Sequence, residues 1–245
     1  MGNEKGQVTL FIIMAIVIVI IGTIFFFLYK QQLKQAEISE AELVSVKSYF
    51  KDRINYATEN SLLLIGLQGG YRTYPYERLE LQFNLIPFYY YSRNIKIPNK
   101  EQINHDLSEE IRGRLNDVQF NLTNLEIIKE QPQVLINLTD KTEIKIDYPL
   151  TIKKGKETIT LLNSYEYQYN LNFEKFINIS QIIVKDISNN SIDINLELLL
   201  ELQNKSQLII SPILYEEKTI IYRIYDNQTR INENPFEFDF AIKNE

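Results

Sequence analysis

The sequence predicts an α+β fold: an N-terminal transmembrane helix continuing into a long amphipathic helix, then a mainly antiparallel β domain with a few helices. Three observations predict it. Residues 8–29 carry no charge. An apolar stripe at helical spacing follows them. Period-two alternation then dominates from residue 118 onward.

The uncharged run VTLFIIMAIVIVIIGTIFFFLY covers about 33 Å as a helix, enough for the hydrocarbon core of a bilayer. In lipid the backbone must satisfy its own hydrogen bonds, so β-branched residues do not prevent the helix. Phe25, Phe26, Phe27 and Tyr29 suit an interfacial aromatic belt, and Lys30 and Lys34 follow. A removable signal peptide would be shorter and end in a small-residue cleavage site, which is missing after this run. Positive charge is nearly equal on its two sides. Six Asn-x-Ser/Thr sequons, at Asn121, Asn137, Asn178, Asn189, Asn204 and Asn227, favour an external domain. Polar loop composition explains them equally well.

Leu33, Ala36, Leu43, Val46, Phe50, Ile54 and Ala57 fall three, four or seven apart, and no proline interrupts residues 31–68. The spacing predicts one continuous helix from 8 to 67, closed by Gly69-Gly70, with two helices bent near Lys30 as the competing reading. Prolines at 75, 87 and 98 break residues 71–98 into short extended pieces. Ile103, Leu107, Ile111 and Leu115 place a helix over 100–116. Strands are expected at 134–138, 143–152 and 157–162, helices at 173–187 and 192–202, and closing strands at 207–215, 218–225 and 235–242. The expected organisation is a cytoplasmic leader (1–7), a transmembrane helix (8–29), an amphipathic stalk (30–70) and an extracellular α+β domain (71–245).

Composition narrows function. The net charge is −6 over 245 residues, and an acidic domain is a poor partner for nucleic acid. The absence of cysteine removes disulfides, thiol catalysis and most structural zinc sites. The one histidine, His105, sits on a polar helix face, and Asp106, Glu109 and Glu110 beside Arg112 and Arg114 read as a solvated mixed-charge face. Gly69-Gly70 is not followed by a lysine and does not cradle phosphate. No catalytic, metal-binding or cofactor-binding residues are assigned. The densest local feature is aromatic: Tyr71, Tyr74, Tyr76, then Phe88, Tyr89, Tyr90 and Tyr91. In a regular strand Tyr89 and Tyr91 face opposite to Phe88 and Tyr90. Tyr71, Tyr74, Tyr76, Tyr89 and Tyr91 are the candidate contact surface, with ordinary β packing as the competing reading.

Lys5-Gly6-Gln7-Val8-Thr9, leading into an apolar helix, resembles the class III signal peptide of archaeal type IV pilin-like proteins. The resemblance implies cleavage between Gly6 and Gln7 by a prepilin peptidase, with the C-terminal part outside the cell. Phe11 stands where the family has a glutamate that promotes polymerisation, so filament assembly does not carry over. The whole chain is also similar to surface-anchored proteins of small-genome archaea, a group to which no activity is attached. Three segments carry that likeness: 64–71 (LIGLQGGY), 88–91 (FYYY) and 236–241 (FEFDFA).

The expected function is that of a non-enzymatic, cell-surface-anchored envelope protein in adhesion, assembly or partner contact. Its partners would be the bilayer, the peptidase, and envelope proteins or glycans. The alternatives are a membrane-tethered hydrolase of envelope polymers, which needs a deep cleft with converging carboxylates, and a filament subunit.

Overall fold

A computed structural model describes residues 4–35, 37–73, 75, 77–81, 84–119, 125–189, 194–216 and 218–243. The fold is α+β with mostly antiparallel sheets. The chain forms two compact units. One comprises Met1–Lys47, Phe120–Ile128 and Leu150–Leu161; the other comprises Ser48–Gln119, Lys129–Pro149 and Leu162–Glu245.

Helix α1 runs Glu4–Gln35. Its segment Ile13–Lys30 has a mean hydropathy of 2.5 and none of it is buried. Apolar side chains project on every side of this segment, from Ile13 to Tyr29. Such a helix is long and apolar enough to span a membrane.

The continuous helix expected to residue 67 is divided. Helix α2 spans Glu40–Leu67 and begins with its own cap. Glu42 N donates to Ser39 Oγ at 3.2 Å, and Ser39 N donates to Glu42 Oε2 at 2.8 Å. This is a reciprocal capping box, which satisfies backbone donors that an unbroken helix would have satisfied internally. Lys154 Nζ donates to Glu42 Oε1 at 2.8 Å. The Lys154 hydrogen bond, with those from Ser39, holds the Glu42 carboxyl at about 2, below its ordinary 4.5. A depressed folded-state value means that the contribution is present above 4.5 and is lost as pH falls towards about 2. The first turn of α2 is therefore expected to fray across that window. Amide exchange in residues 40–43 checks this, and protection that stays constant through the window contradicts it.

Val46, Phe50, Ile54 and Ala57 of the stripe are buried, and so are Leu62 and Ile65 beyond it. The second half of α2 is thus a core helix, not a solvated stalk. The side chain of Leu33 and the whole of Ala36 lie outside the described residues. Gly69 (φ +53°) and Gly70 (φ +81°) end α2, and Gly70 N donates to Ile65 O at 2.7 Å. Both occupy left-handed conformations that side chains disfavour.

The larger sheet contains β1 (Arg78–Glu80), β2 (Leu85–Tyr91), β10 (Asn234–Lys243), β9 (Thr219–Ile231) and β8 (Ile209–Glu216), in that spatial order, with β3 (Asn94–Ile95) on β2. The β2–β10 pair is parallel; its neighbours are antiparallel. Phe236, Phe238 and Phe240 alternate onto one face of β10 and are fully buried. Against Phe236 pack Phe173 and Phe176 of α4 (Phe173–Asn189), at ring separations of 5.6 and 5.3 Å. Helix α5 (Leu196–Ser206) starts at Asn195, whose side chain caps Leu198 N, not at residue 192.

The smaller sheet is centred on β6 (Thr142–Lys154). β4 (Glu126–Lys129), β5 (Gln133–Leu138) and β7 (Glu157–Tyr169) each pair with it. Ile144, Ile146, Tyr148, Leu150 and Ile152 alternate inward along β6. Helix α3 (Lys100–Asn116) lies beside β5 and buries Ile103, Leu107, Ile111 and Leu115 as their spacing predicts. β7 continues seven residues beyond the expected end at 162, through Asn163-Ser164 to Tyr169.

Candidate interaction surface

The three sequence segments that carry the resemblance meet in the core. Gly66 of α2 lies against the backbone of β10: a Cβ there would stand 2.2 Å from Glu237 O and 2.7 Å from the Phe236 ring. One helical turn on, a Cβ at Gly69 would stand 2.6 Å from Asp239 O. Tyr89 of β2 donates its hydroxyl to Gly69 O at 2.6 Å and stacks on Phe240 at 4.6 Å. The segments are therefore a packing motif, in which missing side chains let a helix end touch a strand.

This placement corrects the tyrosine surface. Tyr89 is fully buried, and burial pushes its hydroxyl well above the usual range. It belongs to the core and offers nothing to a partner. Tyr71 is half-buried, edge-on to Tyr89 at 6.5 Å; burial, with the charge of Asp106 adding, raises it to about 12. Tyr91 is half-buried against Phe88 at 5.4 Å. The β2–β10 register shifts between Ala241 and Ile242, so Tyr91 shares the Phe88 side instead of facing opposite to it. Tyr74 and Tyr76 lie outside the described residues. Gly6 and Gln7 fall in α1, where side chains before Ile13 are not described.

The charged groups are likewise in structural use. Asp106 is buried, not solvated: it accepts from Arg72 N at 2.9 Å and Gln102 Nε2 at 2.8 Å. Glu110 pairs with Arg72 at 3.2 Å and with Arg114 at 2.7 Å, and Glu109 pairs with Arg112. These contacts tie the segment after Gly70 to α3. His105 is exposed. On the larger sheet Asp239 is fully buried and accepts two hydrogen bonds from the Arg223 guanidinium through Nε at 2.9 Å and Nη2 at 2.8 Å. Burial pushes the Asp239 carboxyl up and Arg223 pulls it back. Glu237 stands 3.6 Å from the same arginine. Among the described residues no three histidine or carboxylate groups are placed to hold a metal ion.

Among the described residues, the outer face of the smaller sheet forms an open, shallow concavity of about 530 Å³. Asn137 Nδ2 and Gln168 Nε2 converge on the two oxygens of Glu143, each at 3.1 Å. Lys145 and Glu166 pair loosely beside them at 3.8 Å. Two leucines project from this face: Leu135 is 64% exposed and Leu162 is 84% exposed. Amides, a balanced charge pair and exposed apolar side chains suit recognition of a polar partner surface or a glycan. The sequence signal for this face was an interruption of alternation. Val134-Leu135-Ile136 and Leu161-Leu162 put apolar residues next to each other, which forces one of them onto the polar side.

The chain matches no family model, no curated protein and no solved structure. Its own residues carry the functional reading.

Proposed function

We propose that this chain is a non-enzymatic envelope protein anchored in a membrane by α1, with its folded part outside the cell and its contacts made through the open face of the smaller sheet. The observation that carries the reading is the exposed apolar span at Ile13–Lys30. A helix apolar on all sides either fills a protein interior or sits in lipid. None of this one is buried among the described residues. Each additional CH₂ group left in water forfeits about 0.8 kcal/mol, so the span has a strong drive into hydrocarbon.

The N-terminal residues support a pilin-like route to the surface. Gly6-Gln7 would be the processing site, and a mature chain would begin at Gln7. Phe11 has no carboxylate to pair with a neighbouring amine, which favours an anchored protein over a filament subunit. Adhesion, assembly or contact with envelope proteins or glycans fits a shallow, mixed surface with two exposed leucines better than catalysis does.

Alkaline carbonate washing of membranes from expressing cells tests the anchor. The full chain is expected to stay in the pellet and to enter solution only with detergent. Recovery in the carbonate supernatant overturns the reading. Sequencing the N terminus of the pelleted chain tests the processing site, with Gln7 expected and Met1 contradicting it.

A further inference from the structure

We propose that the free edge of β7 pairs with β7 of a second copy of this chain, antiparallel, about a two-fold axis at Tyr165. The seam is the β7 edge of the sheet, which Leu162, Glu166 and Gln168 of the face described above border. A sheet edge exposes unpaired N–H and C=O groups, and proteins normally blunt it. Three other edges among the described strands are blunted. β1 is three residues long and carries Arg78 and Glu80. β8 contains Pro212 in mid-strand. The β5 edge is closed by α3: Asn104 Nδ2 donates to Ile136 O at 2.8 Å, and Ser108 Oγ to Val134 O at 3.4 Å.

β7 has none of these devices. Over its 13 residues it contains no proline, glycine, lysine or arginine, and it pairs with β6 alone among the described strands. Two polar atoms on its inner face, Asn163 Nδ2 and the Tyr167 hydroxyl, are buried without a hydrogen-bond partner. Four such atoms occur among the described residues, and two of them are on this one strand. They lie symmetrically about Tyr165. A two-fold there sets Asn163 of each copy opposite Tyr167 of the other, donor facing acceptor.

The same register suits the outer face. Leu162 opposes Gln168, and Ser164 opposes Glu166. Glu166 is the one charged residue between 162 and 169, and it already pairs with Lys145. An in-register parallel pair would instead stack Glu166 on itself, which is unfavourable. One pair of short strands buries less than the roughly 1,200 Å² of a stable interface. Tethering both copies to one membrane supplies the missing effective concentration.

The cysteine-free sequence makes the test direct. The full chain, reconstituted in phosphatidylcholine vesicles, carries Leu162→Cys in one preparation and Gln168→Cys in another. Both positions are exposed and leave the core intact. With copper phenanthroline and air, the mixed vesicles are expected to form a disulfide dimer at least ten times faster than either variant alone. Ser164→Glu in both chains sets carboxylates against each other across the strands and is expected to slow that crosslink at least tenfold. Leu135→Lys, on β5 and so outside the proposed seam, is expected to leave it unchanged. Equal crosslinking in mixed and single-variant vesicles, no crosslinking at all, or indifference to Ser164→Glu overturns the proposal.

Discussion

Gly66→Ala is expected to destabilise the larger unit by about 3 kcal/mol, and Gly113→Ala to stabilise it by up to about 1 kcal/mol. The two substitutions are chemically identical and both lie inside helices. In an exposed helix the change from glycine to alanine gains up to about 1 kcal/mol, because the unfolded chain loses conformational freedom. At Gly113 nothing opposes that gain. The nearest atom to a new Cβ is the mobile end of Arg72, at 3.5 Å. At Gly66 the new Cβ would stand 2.2 Å from a backbone carbonyl of β10 and inside contact distance of the buried Phe236 ring. Neither can swing away, because β9 holds this part of β10, with Phe236 opposite Asp226 and Glu237 opposite Tyr225, and Phe173 and Phe176 pack on the Phe236 ring. Overpacking of this kind costs about 1–3 kcal/mol and occasionally more, so the cost exceeds the gain. Urea midpoints of the two variants measure the contrast. Equal shifts of the same sign would refute the close approach of α2 to β10.

Arg223→Met is expected to cost about 3–5 kcal/mol, because it leaves the Asp239 carboxylate buried without its partner. The pair itself is a weaker stabiliser than that figure suggests, since desolvation offsets much of its attraction. A double variant, Arg223→Met with Asp239→Leu, should therefore recover most of the loss. The single variant should also acquire a distinctive pH dependence. With the arginine gone, nothing opposes the upward push of burial on Asp239. A raised folded-state value means that the folded chain holds the proton more tightly than the unfolded chain. The variant should therefore gain stability as pH falls through that raised value, and lose it as pH rises back through the same range. Chemical denaturation at several pH values reads this. If the double variant is as unstable as the single one, the buried charge is not the cause.

Much of the architecture was legible because local patterns and tertiary packing agree. The stripe Ile103, Leu107, Ile111, Leu115 became the buried face of α3, and the alternation of Ile144, Ile146 and Tyr148 became the inner face of β6. The break between α1 and α2 was written in the sequence as Ser39-Glu40-Ala41-Glu42, but the apolar stripe ran across it and concealed it. β7 runs past its expected end at 162, through Asn163-Ser164. The tyrosines that follow at 165, 167 and 169 alternate, and pairing with β6 carries the strand through. The parallel pairing of β2 with β10 joins residues about 150 apart, and no local signal encodes it. The same pairing decides the fate of the aromatic cluster. Tyr89 looked as available as Tyr71 until β10 supplied Phe240 to stack on it. The open face of the smaller sheet was legible only as a fault in alternation, at Leu135 and Leu162, and its amide–carboxylate contacts depend on strand register.

The claim on which the functional reading rests is that α1 resides in lipid. Because the chain lacks cysteine, a spin label attached to Val19→Cys or Ile24→Cys reports from a single place. In vesicles holding the full chain, both labels are expected to collide often with oxygen, which concentrates in hydrocarbon, and seldom with a water-soluble nickel chelate. Frequent nickel collisions at both positions would place the helix in water and contradict the anchored protein described here.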